Sequence, residues 1–318
     1  MGRQTAFRTL AVFTLGPLVA GLALAQDAPR TPWGTASLNG VWDSGTLTPL
    51  ERPLAMRDRE FLTEEEAEAI RGTGFERVME IAGNTLEGKV TGELSEIWLG
   101  PPQDVVRTLR TSLVIDPPDG RIPFTAEGRQ RHLWSLFTFI SPTAPTDGPE
   151  VRHNANRCLM TGALYMPNPL YLNHHQIVQT EDYVVIQSEL METRIVPLGG
   201  EPVDPKVRQW NGISRGRWDG DTLVVETTNF SGQGVYFGAT EGLRVVERFV
   251  RVDAETIDYQ ITFEDPSSFE RPWTTENTLR AMEPPIYEFA CHEGNYAMTN
   301  ILRAARMEER EKAEKEEN

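Results

Sequence analysis

The 318-residue chain has little cysteine, few histidines and a deficit of basic residues. Two residues are cysteine and five are histidine. The 31 lysine and arginine residues are outnumbered by 47 aspartate and glutamate residues, which gives a formal net charge of −16. Because phosphate backbones repel so acidic a chain, the composition argues against nucleic acid as a partner and disfavours anionic membrane surfaces.

Several common cofactor and nucleophile motifs are also missing. The chain has no glycine-rich phosphate loop ahead of a helix and no Gly-x-Ser-x-Gly elbow. Covalent haem is excluded because Glu288 stands where a second cysteine would have to precede Cys291. No alternation of strands and helices appears, so a Rossmann fold or TIM barrel is not expected. We therefore predict a protein without an organic cofactor.

The first 25 residues have the three parts of an export signal. Arg3 and Arg8 precede an apolar stretch at residues 10–24, which ends in an Ala-Leu-Ala cleavage site. A membrane anchor is the alternative, but the stretch is short for a span and no basic stop follows it. We predict that residues 1–25 are removed and that residues 26–318 form a single β-rich domain. This domain would be periplasmic or secreted, with no membrane span.

The two cysteines, Cys158 and Cys291, both lie in the predicted mature chain. An isolated pair in an oxidising compartment favours a disulfide, and a nucleophilic cysteine is the alternative. Two thiols so far apart in sequence do not favour structural zinc.

Hairpin signals dominate the second half of the chain. The Asp-Gly-Asp sequence at residues 219–221 separates two apolar runs, and residues 257–264 alternate strictly between apolar and polar. The predicted strands are 38–42, 110–115, 175–180, 183–196, 214–218, 222–230, 243–252, 257–264 and 286–292. A capping box at Thr63 and Glu66 predicts a helix to about Arg71, and a second, charged helix is expected at about 296–316. The fold class is mainly β, an antiparallel meander with helices near both ends. A lipocalin-like barrel closes it most simply, and a sandwich stays open as the alternative.

Three segments carry a family resemblance. They are DPPDGR at 116–121, SRGRWDGDTLVV at 214–225 and CHEGNY at 291–296. Together they resemble a large family of uncharacterised exported bacterial proteins, and the resemblance spans most of the mature chain. It implies export and carries no activity. A weaker resemblance is to lipocalin-type barrels, through the Gly-x-Trp of residues 40–42.

Two groups of titratable residues are the candidates for catalysis. His174 and His175 begin a predicted strand, and adjacent strand residues face opposite sides, so only one of them is expected to face a given site. His292 and Glu293 are predicted to end a strand beside the disulfide, where a rigid platform would position an acid–base pair. Surface histidines and a backbone cap are the structural alternatives.

Other residues are candidates for ligand binding. Tyr171, Trp210 and Tyr236 lie in or near loops and offer aromatic surface, although core packing is the alternative. Asn173 precedes the histidine pair. Arg194 lies on a strand, where it either faces solvent or points inward to bind a carboxylate.

Two functions remain open. The first is an enzyme of lyase, isomerase or hydrolase type that acts on a small organic substrate through histidine and carboxylate groups. The second is a periplasmic binding protein for a small apolar or aromatic ligand. None of the five histidines has metal-ligand spacing. A metal site would have to combine His174 or His175 with His292 and Glu293, and we predict none.

Overall fold

The computed structural model describes residues 28–73, 104–141, 143–159, 173–189, 193–233, 236–283 and 285–316. The predicted leader lies outside these ranges. Within them the chain is mainly β, as predicted, and no helix there is long and apolar enough to cross a membrane.

Ten strands of the described chain form one antiparallel sheet. The strands are β1 Gly40–Asp43, β2 Val114–Asp116, β3 His174–Gln179, β4 Tyr183–Ser188, β5 Arg194–Pro197, β6 Ile213–Asp219, β7 Thr222–Thr228, β8 Arg244–Arg251, β9 Thr256–Glu264 and β10 Trp273–Met282. Their order in the sheet is β5-β4-β3-β1-β10-β9-β8-β7-β6, and β2 also pairs with β10. Most neighbours are consecutive hairpins, and β1 inserts between β3 and β10.

Alternation along the strands separates a buried inner face from an outer face. On β9 the buried residues are Ile257, Tyr259, Ile261 and Phe263, and the residues between them are partly exposed. Successive side chains of a strand point to opposite faces, so this pattern places one face of β9 in the core. Trp273 of β10 stacks on Phe263 with ring centroids 4.3 Å apart, which continues the core to the next strand.

The sheet curls around this inner face. Arg194 of β5 forms an ion pair with Glu247 of β8, although other strands separate β5 from β8 in the sheet order. Within the described chain the two ends of the order meet at one parallel bridge, between Leu198 and Gly216. The antiparallel meander is thus confirmed, whereas a continuously paired, closed barrel stays a prediction.

Three α-helices accompany the sheet in the described residues: α1 at residues 64–73, α2 at Ala126–Ile140 and α3 at Ala297–Glu316. Short 3-10 helices span Leu54–Met56, Pro149–Val151 and Asn154–Arg157. The capping box is confirmed, since the backbone N–H of Thr63 donates to Glu66 and the N–H of Glu66 donates to the Thr63 hydroxyl.

Helix α2 and strand β10 were not predicted from the sequence. The single strand expected at 183–196 is wrong, because the described residues of this stretch form two antiparallel strands, β4 and β5. The strand expected at 286–292 is wrong, because residues 285–290 are irregular and residues 291–294 form a turn. This segment finds no strand partner among the described residues and is held by the disulfide and a few hydrogen bonds instead.

Candidate functional site

The two adjacent histidines at the start of β3 face opposite sides of the sheet. In the pairing of β1 with β3, Asp43 lies opposite His174 and Trp42 lies opposite His175. Trp42 is in the buried inner core, so His175 shares the inner face and His174 the outer face. The expectation that the two imidazoles cannot share one site is therefore confirmed.

On the outer face, His174 lies among the carboxylates of Asp43 and Glu189, and we call these three residues the His174 site. Nδ1 of His174 is 3.0 Å from Oε2 of Glu189, an ion-pair distance, although the contact is off the line of a good hydrogen bond. The side chains of His174 and Glu189 are only 8% and 2% exposed. Asp43 is also buried and accepts a hydrogen bond from the backbone N–H of Gly45 at 2.9 Å.

The charges at the His174 site favour the imidazolium. Burial by itself lowers the pKa of His174, but Glu189 and, less strongly, Asp43 outweigh it, so the pKa is raised above 6.5. Burial also raises the pKa of Asp43, against the opposing effects of the Gly45 N–H and of His174. The site thus joins two groups that hold protons more tightly than usual.

The C-terminal segment is attached to this site through Glu189. Oε1 of Glu189 accepts a hydrogen bond from the backbone N–H of Tyr287 at 2.7 Å. Four residues later, Cys291 forms the predicted disulfide with Cys158, and the two Cα atoms are 5.6 Å apart. The disulfide therefore ties down the same segment that fixes the orientation of Glu189.

On the inner face, His175 lies between two serines. Its Nδ1 is 2.6 Å from the Ser188 hydroxyl and its Nε2 is 3.3 Å from the Ser44 hydroxyl. Burial lowers the pKa of His175 well below 6.5, and the charges of His174 and Arg194 act in the same direction. The fold therefore shifts the pKa values of the neighbouring histidines in opposite directions, which is an arrangement that enzymes use to separate acid and base roles.

Arg194 points inward, but its carboxylate partner is part of the chain. Its guanidinium forms a bidentate pair with Glu247, with Nη2 2.8 Å from Oε1. The Tyr259 hydroxyl donates to the same Oε1 at 2.6 Å. The side chains of Arg194 and Glu247 are 6% and 0% exposed, so the described contacts give Arg194 a structural partner rather than an open position for a ligand.

The remaining ligand-binding candidates are spread over different places. Asn173 is buried, and its carbonyl accepts hydrogen bonds from the Ser44 backbone and hydroxyl, each at 3.0 Å. Tyr236 is in the core, where its hydroxyl donates to Asn211. Trp210 is partly buried. Tyr171 lies outside the described residues. The predicted pocket mouth is therefore not formed by Tyr236, which packs inside.

His292 and Glu293 lie apart from the contacts of the His174 site. Both side chains are exposed on the turn at residues 291–294. They follow the disulfide, as predicted, but no strand of the described chain holds them there. Among the described residues, no group of three or more His, Cys, Asp or Glu side chains is arranged to hold a metal ion.

Two members of the His174 site were not recognised as such from the sequence. Neither Asp43 nor Glu189 was among the candidates identified from the sequence. The feature of the sequence that could have identified Asp43 is its position directly after the Gly-Val-Trp strand. Joining Asp43 to His174, however, requires the pairing of β1 with β3.

Comparison of the chain with models of protein families, with curated proteins and with solved structures gives no match. The function is therefore inferred from the geometry of the site.

Proposed function

We propose that this protein is an enzyme that transfers protons on a small organic substrate, with His174 as the catalytic acid–base group. The observation that carries the proposal is a histidine held between two buried carboxylates on one face of the sheet. Perturbed titratable groups that cluster in this way are typical of active sites. Structural ion pairs shift pKa values in a similar way, so a variant of His174 is needed to separate a catalytic role from a structural one.

The three groups have different parts in this proposal. Glu189 is fixed by the Tyr287 N–H and orients the imidazole through Nδ1. Nε2, the ring nitrogen away from Glu189, would then exchange the proton with substrate. The raised pKa favours the protonated ring of His174, which is the form that acts as general acid, and after the proton has left, the neutral ring is the base for the return step.

The reaction class follows from this chemistry. Proton transfer by one histidine and carboxylates suffices for a lyase, isomerase or hydrolase step, and the proposal requires no organic cofactor. Binding of a small apolar or aromatic ligand without turnover remains the competing function. The described contacts favour it less, because Tyr236 and Arg194 are occupied within the fold.

We also propose that the protein works outside the cytoplasm. The basic and apolar leader and the resemblance to exported proteins support this location. The disulfide between Cys158 and Cys291 is compatible with it, since disulfides persist in oxidising compartments.

A variant comparison tests the enzymatic role with a broad panel of substrates. The purified protein is incubated with a pool of small organic metabolites and with chromogenic esters, glycosides and phosphate esters. Turnover is followed by proton NMR for the metabolites and by absorbance for the chromogenic compounds. His174→Gln should lower the rate by about 10²- to 10⁴-fold, the usual contribution of a general acid–base group. The matched control is His292→Gln, an exposed histidine that should retain the wild-type rate within about twofold.

Three results would contradict the proposal. Turnover that survives His174→Gln would remove His174 from the chemistry. Loss of turnover in His292→Gln instead would move the site to the turn beside the disulfide. Saturable binding with no turnover of any compound would favour the binding protein.

A further inference from the structure

In helix α2 the distribution of polar and apolar side chains is the reverse of that in an ordinary surface helix. Its buried side is polar, since Thr138 is 4% exposed and Ser135 is partly buried. In the C-terminal half its solvent side is apolar, with Leu133 57% and Trp134 54% exposed. A surface helix normally turns its apolar stripe toward the core, whereas α2 exposes large apolar side chains to solvent.

The exposed apolar surface covers more than one face of the helix. At 3.6 residues per turn, the exposed side chains span about 220° of the circumference, about twice the stripe that a helix uses to pack on one partner. The side chains are Leu133, Trp134, Leu136, Phe137 and Phe139. Solvent therefore meets a broad apolar arc on the C-terminal half of α2.

The N-terminal half of α2 is fixed to the loops that join β7 to β8 and β9 to β10. The Arg131 guanidinium donates to the carbonyls of Gly238 and Ser267 at 2.8 Å each. A Cβ at Gly128 would lie 2.1 Å from the Ser268 carbonyl oxygen, so glycine permits the helix to approach this closely. The apolar half is thus held in a constant orientation by a rigid base.

The local charge also differs from that of the whole chain. Residues 128–146 contain no aspartate or glutamate, although the chain has 47 of them. The same stretch contributes Arg129 and Arg131, and Arg129 is exposed. This segment therefore contributes no negative charge of its own to the surface that would face phosphate headgroups.

We propose that the C-terminal half of α2 inserts into the interface of a lipid bilayer and holds the protein at a membrane surface. A broad arc of Trp, Phe and Leu suits a deformable apolar medium that surrounds the helix, whereas a rigid protein partner would cover one face. Residues 128–146 themselves carry no acid that headgroups would repel. The net charge of −16 favours a zwitterionic over an anionic bilayer. This inference does not depend on the proposed enzymatic role of His174.

Flotation of the full protein with phosphatidylcholine vesicles tests the inference. We expect the protein to float with the vesicles and to remain bound in 0.5 M salt, because insertion of apolar side chains is not screened. Leu133→Ser/Trp134→Ser should lower the partition coefficient at least tenfold. The matched control is Leu54→Ser/Tyr296→Ser, in which a leucine and an aromatic residue of similar or higher exposure, 77% and 70%, lie away from α2. All variants are compared in the same form of the chain with respect to residues 1–25, so their difference isolates the helix from any effect of the leader.

Several outcomes would overturn the inference. One is a wild-type protein that fails to float with phosphatidylcholine, and another is equal flotation of the two double variants. Binding only to vesicles that contain 30% phosphatidylglycerol, and abolished by salt, would show a purely electrostatic contact. A dimer in sedimentation velocity that Leu133→Ser/Trp134→Ser converts to a monomer, without vesicle binding, would assign the apolar arc to a second copy of the chain. Circular dichroism of each variant verifies that the fold is retained.

Discussion

The buried ion pair between Arg194 and Glu247 provides the sharpest test of the curled sheet. The two residues lie on β5 and β8, and their side chains meet only because the sheet bends back on itself. In Glu247→Leu the Arg194 guanidinium loses both of its hydrogen bonds to a carboxylate and stays buried. The Tyr259 hydroxyl loses its acceptor at the same time.

The expected loss of stability is large. Removal of one partner of a buried ion pair costs about 3–5 kcal/mol, because the other charge is left uncompensated. For a domain of this size, 1 kcal/mol corresponds to about 2–4 °C, so Tm should fall by about 6–20 °C. The double variant Arg194→Met/Glu247→Leu replaces both charges with apolar side chains and should be more stable than either single variant, with most of the loss recovered.

Urea unfolding of the wild type, the two single variants and the double variant completes a double-mutant cycle. Arg244→Met is the control, because Arg244 pairs with Glu226 at the surface, where the two side chains are 45% and 39% exposed. An exposed pair is worth about 0–1 kcal/mol. A cost for Glu247→Leu no greater than that of Arg244→Met would refute the buried pair, and so would additive losses in the double variant.

Three further predictions concern the cap, the disulfide and pH. Thr63→Ala removes the hydroxyl that accepts from Glu66 N–H and should destabilise the protein by about 1 kcal/mol in urea, whereas Thr63→Ser should be neutral. Replacement of Cys158 and Cys291 by serine opens a loop of 133 residues and should cost about 5 kcal/mol in the chain-entropy model, and an unchanged Tm would contradict this. Because the folded-state pKa of His174 is raised, the protonated imidazole stabilises the fold fully below pH 6.5, and this stabilisation is lost as pH rises through the folded pKa. Measurement of Tm against pH should therefore show a flatter fall above pH 6.5 in His174→Gln than in the wild type.

Local signals explain the features that were predicted correctly from the sequence. The Asp-Gly-Asp turn joins β6 to β7 as expected, because Gly220 supplies the positive φ of 60° that the turn needs. Adjacent positions on a strand must face opposite sides, so the separation of His174 from His175 followed from their order alone. The disulfide followed from the number of cysteines and the predicted compartment.

The missed elements lack these local signals. In β10 the inner positions include Thr275 and Asn277, so polar residues hide the alternation that marks a buried strand. In α2 the large apolar residues face solvent and Thr138 faces inward, so the usual apolar stripe is absent. Both elements depend on contacts with other parts of the fold rather than on a hydrophobic pattern in their own sequence.

The candidate site was predicted only in part for a related reason. His174 was identified from its residue type and its place at a strand start. Its partners depend on pairings across the sheet, with Asp43 on β1 and Glu189 after β4. Arg194 was expected either to face solvent or to bind a carboxylate, and it does bind one, but Glu247 supplies it from within the chain. Sequence patterns show which residue types are available, whereas strand register decides which of them meet.

The protonation of His174 tests the central claim most directly. NMR of the imidazole resonances between pH 5 and 9 measures the pKa of each histidine, and His174→Gln identifies the signal. We expect the pKa of His174 to lie above 6.5 and to fall in Glu189→Gln, which removes the charge that favours the imidazolium, while the pKa of His175 lies well below 6.5. A His174 that is already neutral at pH 6, or a pKa unchanged by Glu189→Gln, would contradict the proposed acid–base site.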